Sequence, residues 1–447
     1  MNHPSRFARG LALSVFIAAG LTAAYWGHGR SGRSGVDTAP ADRPTSTAAV
    51  ARGPPILALS DVMRTSGFEF TYDNGRAAGR HVILECLGGG VGTFDYDGDG
   101  RWDLFCPGGG QYRPHGEITG LRSALFRNLG DWKFEPVTAP SGAARAPYYT
   151  HGCCAGDFNS DGFTDVLVTG YGGLQLFQNQ GDGRFIEVRE QAGLFDDSWI
   201  TSAAWGDLNG DGHPDLYLAH YVDWLPAEGR DARDFGQGHA EVCLPRRFNP
   251  LPDAVYYSNG DGTFRDATSA AGFVVEPSIC GKGLGVVLGD VDLDGDVDVY
   301  VANDTDPNFL YLNQGSGVFQ EVGLLHGAAC DAIGKPTGSM GVDLGDYDGD
   351  GLPDIFVSNF ENETFSLYRN EGAAHFLHVS QATGIMALGR LYVGWGTLFA
   401  DVDRDGDEDL VVSNGHVFDF SGLAPNKQEP LLLMNERGQF VKAAFPP

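Results

Sequence analysis

Residues 339–359 read SMGVDLGDYDGDGLPDIFVSN, an acidic loop set between two short apolar runs. Its centre is the nonapeptide DYDGDGLPD (346–354), with aspartate at positions 1, 3, 5 and 9 and glycine at position 6. The pattern D-x-[DN]-x-D-G-x-x-D recurs five more times: DYDGDGRWD (95–103), DFNSDGFTD (157–165), DLNGDGHPD (207–215), DVDLDGDVD (290–298) and DVDRDGDED (401–409). The first aspartates stand 62, 50, 83, 56 and 55 residues apart. A period of this length marks a repeat architecture.

The flanks repeat as well. Small-residue segments such as LGGGVGTF, GLGVVLG, SMGVDLG and GWGTLFA precede the loops, and the runs LF, VLV, LYL, VYV, IFV and LVV follow them. Next comes a hairpin signal, LFQNQGDGRF, VYYSNGDGTF or LYLNQGSGVF, whose Asn and Gly residues are expected to supply positive φ. Each unit closes on F-x-x-[VA]-x-x-x-x-G, at Phe134/Val137/Gly142, Phe185/Val188/Gly193, Phe264/Ala267/Gly272, Phe319/Val322/Gly327 and Phe376/Val379/Gly384. Four short strands per unit, almost without helical periodicity, predict an all-β chain folded as a β-propeller. The glycines before each loop are expected to let the first strands crowd around the axis.

Calcium is a hard cation that takes six to eight oxygens at about 2.3–2.6 Å. Carboxylates at positions 1, 3 and 5 of a tight loop converge on one point, position 7 offers its backbone carbonyl, and position 9 closes the cage. The candidate ligands are Asp95, Asp97, Asp99, Arg101 and Asp103; Asp157, Asn159, Asp161, Phe163 and Asp165; Asp207, Asn209, Asp211, His213 and Asp215. The later loops add Asp290, Asp292, Asp294, Asp296 and Asp298; Asp346, Asp348, Asp350, Leu352 and Asp354; Asp401, Asp403, Asp405, Asp407 and Asp409. Solvated acidic turns do not require aspartate at fixed alternating positions six times. An EF-hand needs Glu at position 12, where this chain has Cys106, Val168, Leu218, Val301, Val357 and Val412. Paired helical loops fail because no amphipathic helix follows, and the nonapeptides of β-rolls have a different register.

The repeat resembles the FG-GAP/VCBS repeat of integrin α-subunit propellers. The fuller units at 339–359 and 394–417 are similar to the cartilage acidic protein family, many of whose members carry an ASPIC/UnbV module after the propeller. No segment resembling that module is present. The resemblance covers roughly residues 57–447. It implies a secreted or surface propeller of integrin-α type with seven blades that binds Ca²⁺ and a macromolecular partner, with no established catalytic activity; the six acidic loops set the expected number of Ca²⁺ sites at about six.

The blade count rests on a further expectation. Residues 59–67 fit the unit ending without a preceding acidic loop, and Phe440 and Ala443 begin another such ending. Residues 57–70 are therefore expected to act as the last strand of a final blade whose acidic loop lies beyond residue 447.

Acidic residues outnumber basic ones 59 to 30, and the net charge is −29. Such a surface repels nucleic acid and anionic membranes. The expected partner is an extracellular protein or glycan, with no nucleic acid and no membrane beyond an N-terminal anchor. Arg6 and Arg9 precede an uncharged run, 11–26, that contains Thr22-Ala23-Ala24. Residues 1–26 read as an export signal, with an N-terminal anchor as the alternative. Residues 27–56 read as a disordered linker and 57–447 as the propeller. The expected location is outside the cytoplasm: secreted, periplasmic or at the cell surface.

Seven cysteines in an exported chain suggest disulfides, with Cys86–Cys106 and Cys243–Cys280 as candidate pairs. Cys153, Cys154 and Cys330 remain, and no C-x-x-C spacing supports a thiolate metal site. The long inter-loop stretch 219–256 contains His220, Tyr221, Asp223, Trp224, Asp231, Asp234, His239 and Glu241. It is the natural place for a propeller lyase or glycosidase to hold acid–base groups. Without fixed spacing it reads instead as a solvated loop or recognition surface. His416 in SNGHV fits a capping role better than a catalytic one. Asn303 and Asn362 begin glycosylation sequons.

Overall fold

The small-residue segment before each acidic loop and the apolar run after it form an antiparallel pair joined by the loop itself. In the fourth unit Gly283–Gly289 pairs with Asp298–Asn303, setting Val286 opposite Val301 and Gly289 opposite Asp298. Phe309–Asn313 and Phe319–Glu321 complete the sheet. The computed structural model describes residues 60–113, 117–226, 232–234, 240–273, 281–417 and 427–444, and contains six such four-stranded antiparallel sheets. They span residues 92–136, 149–187, 200–266, 283–321, 342–378 and 394–443, here blades 1 to 6, each carrying the loop of the same number. The all-β, propeller-like arrangement expected from the repeat is therefore present. A seventh four-stranded sheet is not found among the described residues. Small hairpins interrupt two blades: Gly110–Tyr112 with Ile118–Gly120 in blade 1, and Ala232–Asp234 with Ala240–Val242 in blade 3.

The second strand of each blade is a continuous apolar run because both of its faces are covered. In blade 4 Val299 and Val301 pack on Tyr217 and Ala219 of blade 3, while Tyr300 and Ala302 pack on Val342, Ile355 and Val357 of blade 5. Similar clusters join blades 1 to 2, 2 to 3 and 5 to 6. None of these blade-to-blade clusters joins blade 6 to blade 1. Instead Val82, Ile83, Leu84 and Leu87 form a cap with Tyr149, Trp199, Tyr221 and Trp224, and Trp395 of blade 6 packs against it. First strands approach closely, as expected. A Cβ on Gly341 would stand 1.6 Å from the Trp395 carbonyl oxygen, and one on Gly285 2.4 Å from that of Met340.

The unit endings are helical turns terminated by a left-handed glycine, with φ of 82° at Gly142, 76° at Gly193, 86° at Gly272, 82° at Gly327 and 85° at Gly384. Each glycine lies over the carbonyl of the outer-strand phenylalanine of the next blade. Gly67 repeats the relation with φ 78°, over Phe134 of blade 1. Residues 59–67, expected as a strand, are thus a turn where described: Met63–Ser66 is one helical turn. Their apolar, Val and Gly spacing of +3 and +8 is that of a turn, and the segment packs on blade 1 rather than pairing with Phe440–Ala443. Residues 1–26, 27–56, Leu59 and Cys280 lie outside the described residues.

Ala at Gly334 (φ 77°, open space) should cost about 1 kcal/mol through the left-handed backbone alone. Ala at Gly327 adds a contact of 2.4 Å with the Phe376 carbonyl oxygen. It should cost about 3 kcal/mol in urea unfolding. Equal losses would show that the turn-on-strand contact does not matter.

Candidate metal centres

All six loops share one hydrogen-bond pattern. The position-1 carboxylate accepts the backbone N–H of positions 5 and 6, at 3.1 and 2.7 Å on Asp95, 3.0 and 2.8 Å on Asp157 and 3.0 and 2.8 Å on Asp207. The distances are 3.0 and 2.9 Å on Asp290, 3.0 and 2.9 Å on Asp346 and 3.0 and 3.1 Å on Asp401. Position 5 accepts the N–H of position 7, so Arg101, Phe163, His213, Asp296, Leu352 and Asp407 are held through their backbones. These bonds wind all six loops in the same way.

Position 9 opens the second strand and is the deepest group. Asp103, Asp165, Asp215, Asp298, Asp354 and Asp409 are at most 1% exposed. Each accepts a backbone N–H from position 2 of its own loop and one from the end of the third strand, and Asp215 accepts a third from Asn209 at 3.2 Å. For Asp298 these are Val291 at 2.9 Å and Asn313 at 2.9 Å. Burial pushes Asp103 and Asp215 up to about 6, Asp165 and Asp298 to about 7 and Asp354 to about 8. Burial and then neighbouring carboxylates also push Asp292, Asp348 and Asp403 up.

The third-strand residue was missed in the sequence as anything but a turn former. It is Asn128, Asn179, Ser258, Asn313, Asn370 or Asn435 in turn, and none of these has positive φ, which falls on following residues such as Gly181 and Gly315. The Asn side-chain oxygen accepts the N–H of the turn glycine, as at Asn179 to Gly181, 3.0 Å. In blades 2, 4, 5 and 6 its Nδ2 donates across to position 2 of the preceding loop. The acceptors are the carbonyls of Tyr96 (2.8 Å), Leu208 (2.9 Å), Val291 (2.7 Å) and Tyr347 (2.7 Å). The recurring N-x-G was the available signal.

Oxygens bound to one Ca²⁺ stand at most about 5 Å apart. In four loops one oxygen from each of three carboxylates lies within 4.8 Å of the others: Asp95/Asp97/Asp99, Asp290/Asp292/Asp294, Asp346/Asp348/Asp354 and Asp401/Asp403/Asp409. Asn159 and Asn209 hold position 3 in the other two. Asp97 Oδ1 is buried without a hydrogen-bond partner. An all-oxygen, convergent and mutually repelling donor set fits a hard divalent cation. Loop 1 differs, because Arg127 Nε lies 2.7 Å from Asp97 Oδ2 and its Nη2 3.2 Å from Asp99 Oδ2.

The 219–256 stretch is not simply a solvated loop. His220, Tyr221 and Trp224 are 2% exposed and belong to the buried interior. His220 Nε2 is 3.1 Å from Asp196 Oδ2, its Nδ1 is 2.5 Å from the Pro252 carbonyl oxygen, and its backbone N–H donates to Asp253 at 2.7 Å. Burial opposes the charge on His220, but Asp196 outweighs it and raises the imidazole. Asp223 bonds Asn249 through both backbone and side chain. The side chains of Asp231, Asp234, His239 and Glu241 lie outside the described residues. His416 is buried, with Nε2 3.3 Å from Glu361 Oε2. The sequon residue Asn303 is fully buried and donates to the Pro307 carbonyl at 2.8 Å, so it is closed to modification. Asn362 is exposed. Cys86 and Cys106, expected as a pair, are unbridged thiols, each pushed up to about 12 by burial. Flanking the same acidic loop did not bring them together.

Fold and loops define a β-propeller built from acidic-loop repeats. The model of the FG-GAP-like repeat matches residues 95–168, 157–218, 236–301, 290–357 and 346–412, and the chain belongs to that family. Cartilage acidic protein 1 of Homo sapiens is 31% identical over 174 residues, covering 37% of this chain and 24% of that protein. Its Mus musculus counterpart is 29% identical over 174 residues, covering 37% and 25%. The matched region spans about a quarter of the length of these relatives. A solved Agrocybe aegerita lectin, described as recognising non-reducing terminal N-acetylglucosamine, aligns over 79% of both chains at TM-score 0.42 and 17% identity.

The raised position-9 carboxylates set the pH response of the metal-free chain. Their ordinary value is near 4, so the acid form is favoured in the fold. That stability is complete below about pH 4 and is lost as pH rises through 6 to 8. In chelator the melting temperature should be lower at pH 8 than at pH 5, by calorimetry. A higher value at pH 8 would contradict the burial of these groups.

Proposed function

We propose that this chain is an exported, calcium-stabilised propeller serving as an adhesion or macromolecule-recognition module, with an extracellular protein or glycan as partner. One observation carries the reading: carboxylate oxygens from three aspartates converge within 4.8 Å in four of the six loops. The ligands would be the side chains at positions 1, 3, 5 and 9 with the position-7 carbonyl, giving about six sites. A bound Ca²⁺ supplies positive charge that offsets the repulsion among these groups. The chain's own part is to hold the oxygens in place through the backbone N–H groups already described.

Export is supported by the basic and apolar pattern of residues 1–26. Recognition is supported by exposed aromatic side chains beside loop 1, with Trp102 52% and Trp132 69% exposed. Large aromatic residues at the surface dominate many interfaces. A binding role is favoured over catalysis because His220, Tyr221 and Trp224 are committed to internal packing and pairing.

Ligands that bind only the folded state stabilise it by mass action. Millimolar Ca²⁺, added to exhaustively chelated protein at fixed ionic strength, should raise the melting temperature. Asp290→Ala should blunt that rise, while Glu135→Ala, an exposed control, should leave it unchanged and alter stability by less than about 0.5 kcal/mol. A melting temperature indifferent to Ca²⁺ would remove the calcium reading. Failure of the purified chain to bind its own cell surface, with and without Ca²⁺, would remove the recognition reading.

A further inference from the structure

Between the loops runs a chain of hydrogen bonds with one break. Asp409 of loop 6 accepts the N–H of Asn435 at 2.8 Å; the Asn435 side chain donates to the carbonyl of Tyr347, whose N–H donates to Asp354 of loop 5 at 3.1 Å. Asp354 accepts the N–H of Asn370 at 2.8 Å, and Asn370 reaches Val291, whose N–H is on Asp298 of loop 4. Asn313 continues in the same way to Leu208 and Asp215 of loop 3. There the chain stops. Ser258 keeps the backbone bond to Asp215 at 2.8 Å, and its hydroxyl accepts the Gly260 N–H at 3.2 Å, but it has no amide to send across to Phe158 of loop 2. Asn179 restores the pattern between loops 2 and 1. Loops 6 and 5 share a second tie, the Glu408 carboxylate on the Asp346 N–H at 2.8 Å.

We infer that these asparagines couple the cation sites in two groups, loops 3 to 6 and loops 1 and 2, with Ser258 as the insulator between them. The inference rests on the reading of the loops as cation sites. Asn179, Asn313, Asn370 and Asn435 are positioning residues. Each is held by the position-9 carboxylate of its own loop and holds position 2 of the neighbouring loop, which in turn is held by that loop's position-9 carboxylate. Holding one position-9 carboxylate in place would therefore, through the asparagine, order position 2 of the next cage, so that its carboxylates would already be arranged for a second cation. Coupling of this kind travels through contiguous hydrogen-bond networks and is reciprocal.

The experiment is a Ca²⁺ titration of the chelated full chain, read by hydrogen-exchange mass spectrometry on six peptides, one spanning each loop. In the unmodified protein loops 3 to 6 should gain protection over one shared concentration range and loops 1 and 2 over their own. Asn370→Ser keeps the backbone donor and a turn-capping hydroxyl, as Ser258 does naturally, so the fold should persist. It should separate loops 3 and 4 from loops 5 and 6, shifting their midpoints apart by about fivefold, a coupling of about 1 kcal/mol. Ser258→Asn should draw loops 1 and 2 toward the range of the others, a gain that a merely structural role would not produce. Six independent midpoints, or variants that leave the midpoints unmoved while Ca²⁺ still protects the loops, would overturn the coupling. A chain in which Ca²⁺ protects no loop would instead overturn the cation reading beneath it.

Discussion

A carboxylate buried at the ninth position of every loop is the constraint on which the molecule is built. Burying an anion is costly unless hydrogen bonds compensate. Each of these aspartates has backbone donors from both its own loop and the third strand. The loop must therefore wind back over the start of the second strand, and the third strand must end level with it. Blade geometry follows from that meeting of three segments. Even so, burial lifts Asp354 to about 8, so its charged form is disfavoured in the fold. The same device that fixes the blade sets the proposed cation ligands in place.

Much of this was legible in the sequence because it is local. The acidic nonapeptide, the apolar run after it and the glycine ending each express conformations decided within a few residues. What was not legible is what joins units. Asn313 looked like half of a turn signal, yet its side chain bonds the Leu208 carbonyl 105 residues away. Tyr221 and Trp224 looked like surface aromatics in an irregular insertion, but they are buried against Trp199 and the 82–87 cap. The pairing of Cys86 with Cys106 failed for the same reason. Proximity along the chain to one loop says nothing of where two side chains point once a cap is laid over the blades.

Uniform repeats make departures informative. Arg127 brings a cation to loop 1 that no other loop receives in this way, and Ser258 stands where every other blade has an asparagine. The insertion also lies in blade 3, and Trp102, Leu129 and Trp132 are exposed on blade 1. A repeat fixes the scaffold, and individual character resides where a unit stops conforming. Blade 3 combines two such departures, a broken tie on the loop side and an added segment at the other end of its second strand.

That second strand connects them physically. Asp215–His220 is six residues long and fully buried. Its first residue is the deepest carboxylate of loop 3, and its last is the histidine paired with Asp196. Tyr217, between them, donates to Asp253 at 2.8 Å, and Asp253 accepts the His220 N–H. A strand buried on both faces moves as one body, because dense packing transmits displacement rather than absorbing it. Fixing Asp215 thus fixes the register from which His220, Tyr221 and Trp224 project. The acidic loop at one end of this strand and the aromatic arrangement at the other are two ends of the same rigid element. The interruption at Ser258 leaves the hydrogen-bond chain running only to the loops that follow, while toward loop 2 the strand keeps apolar packing on Phe158.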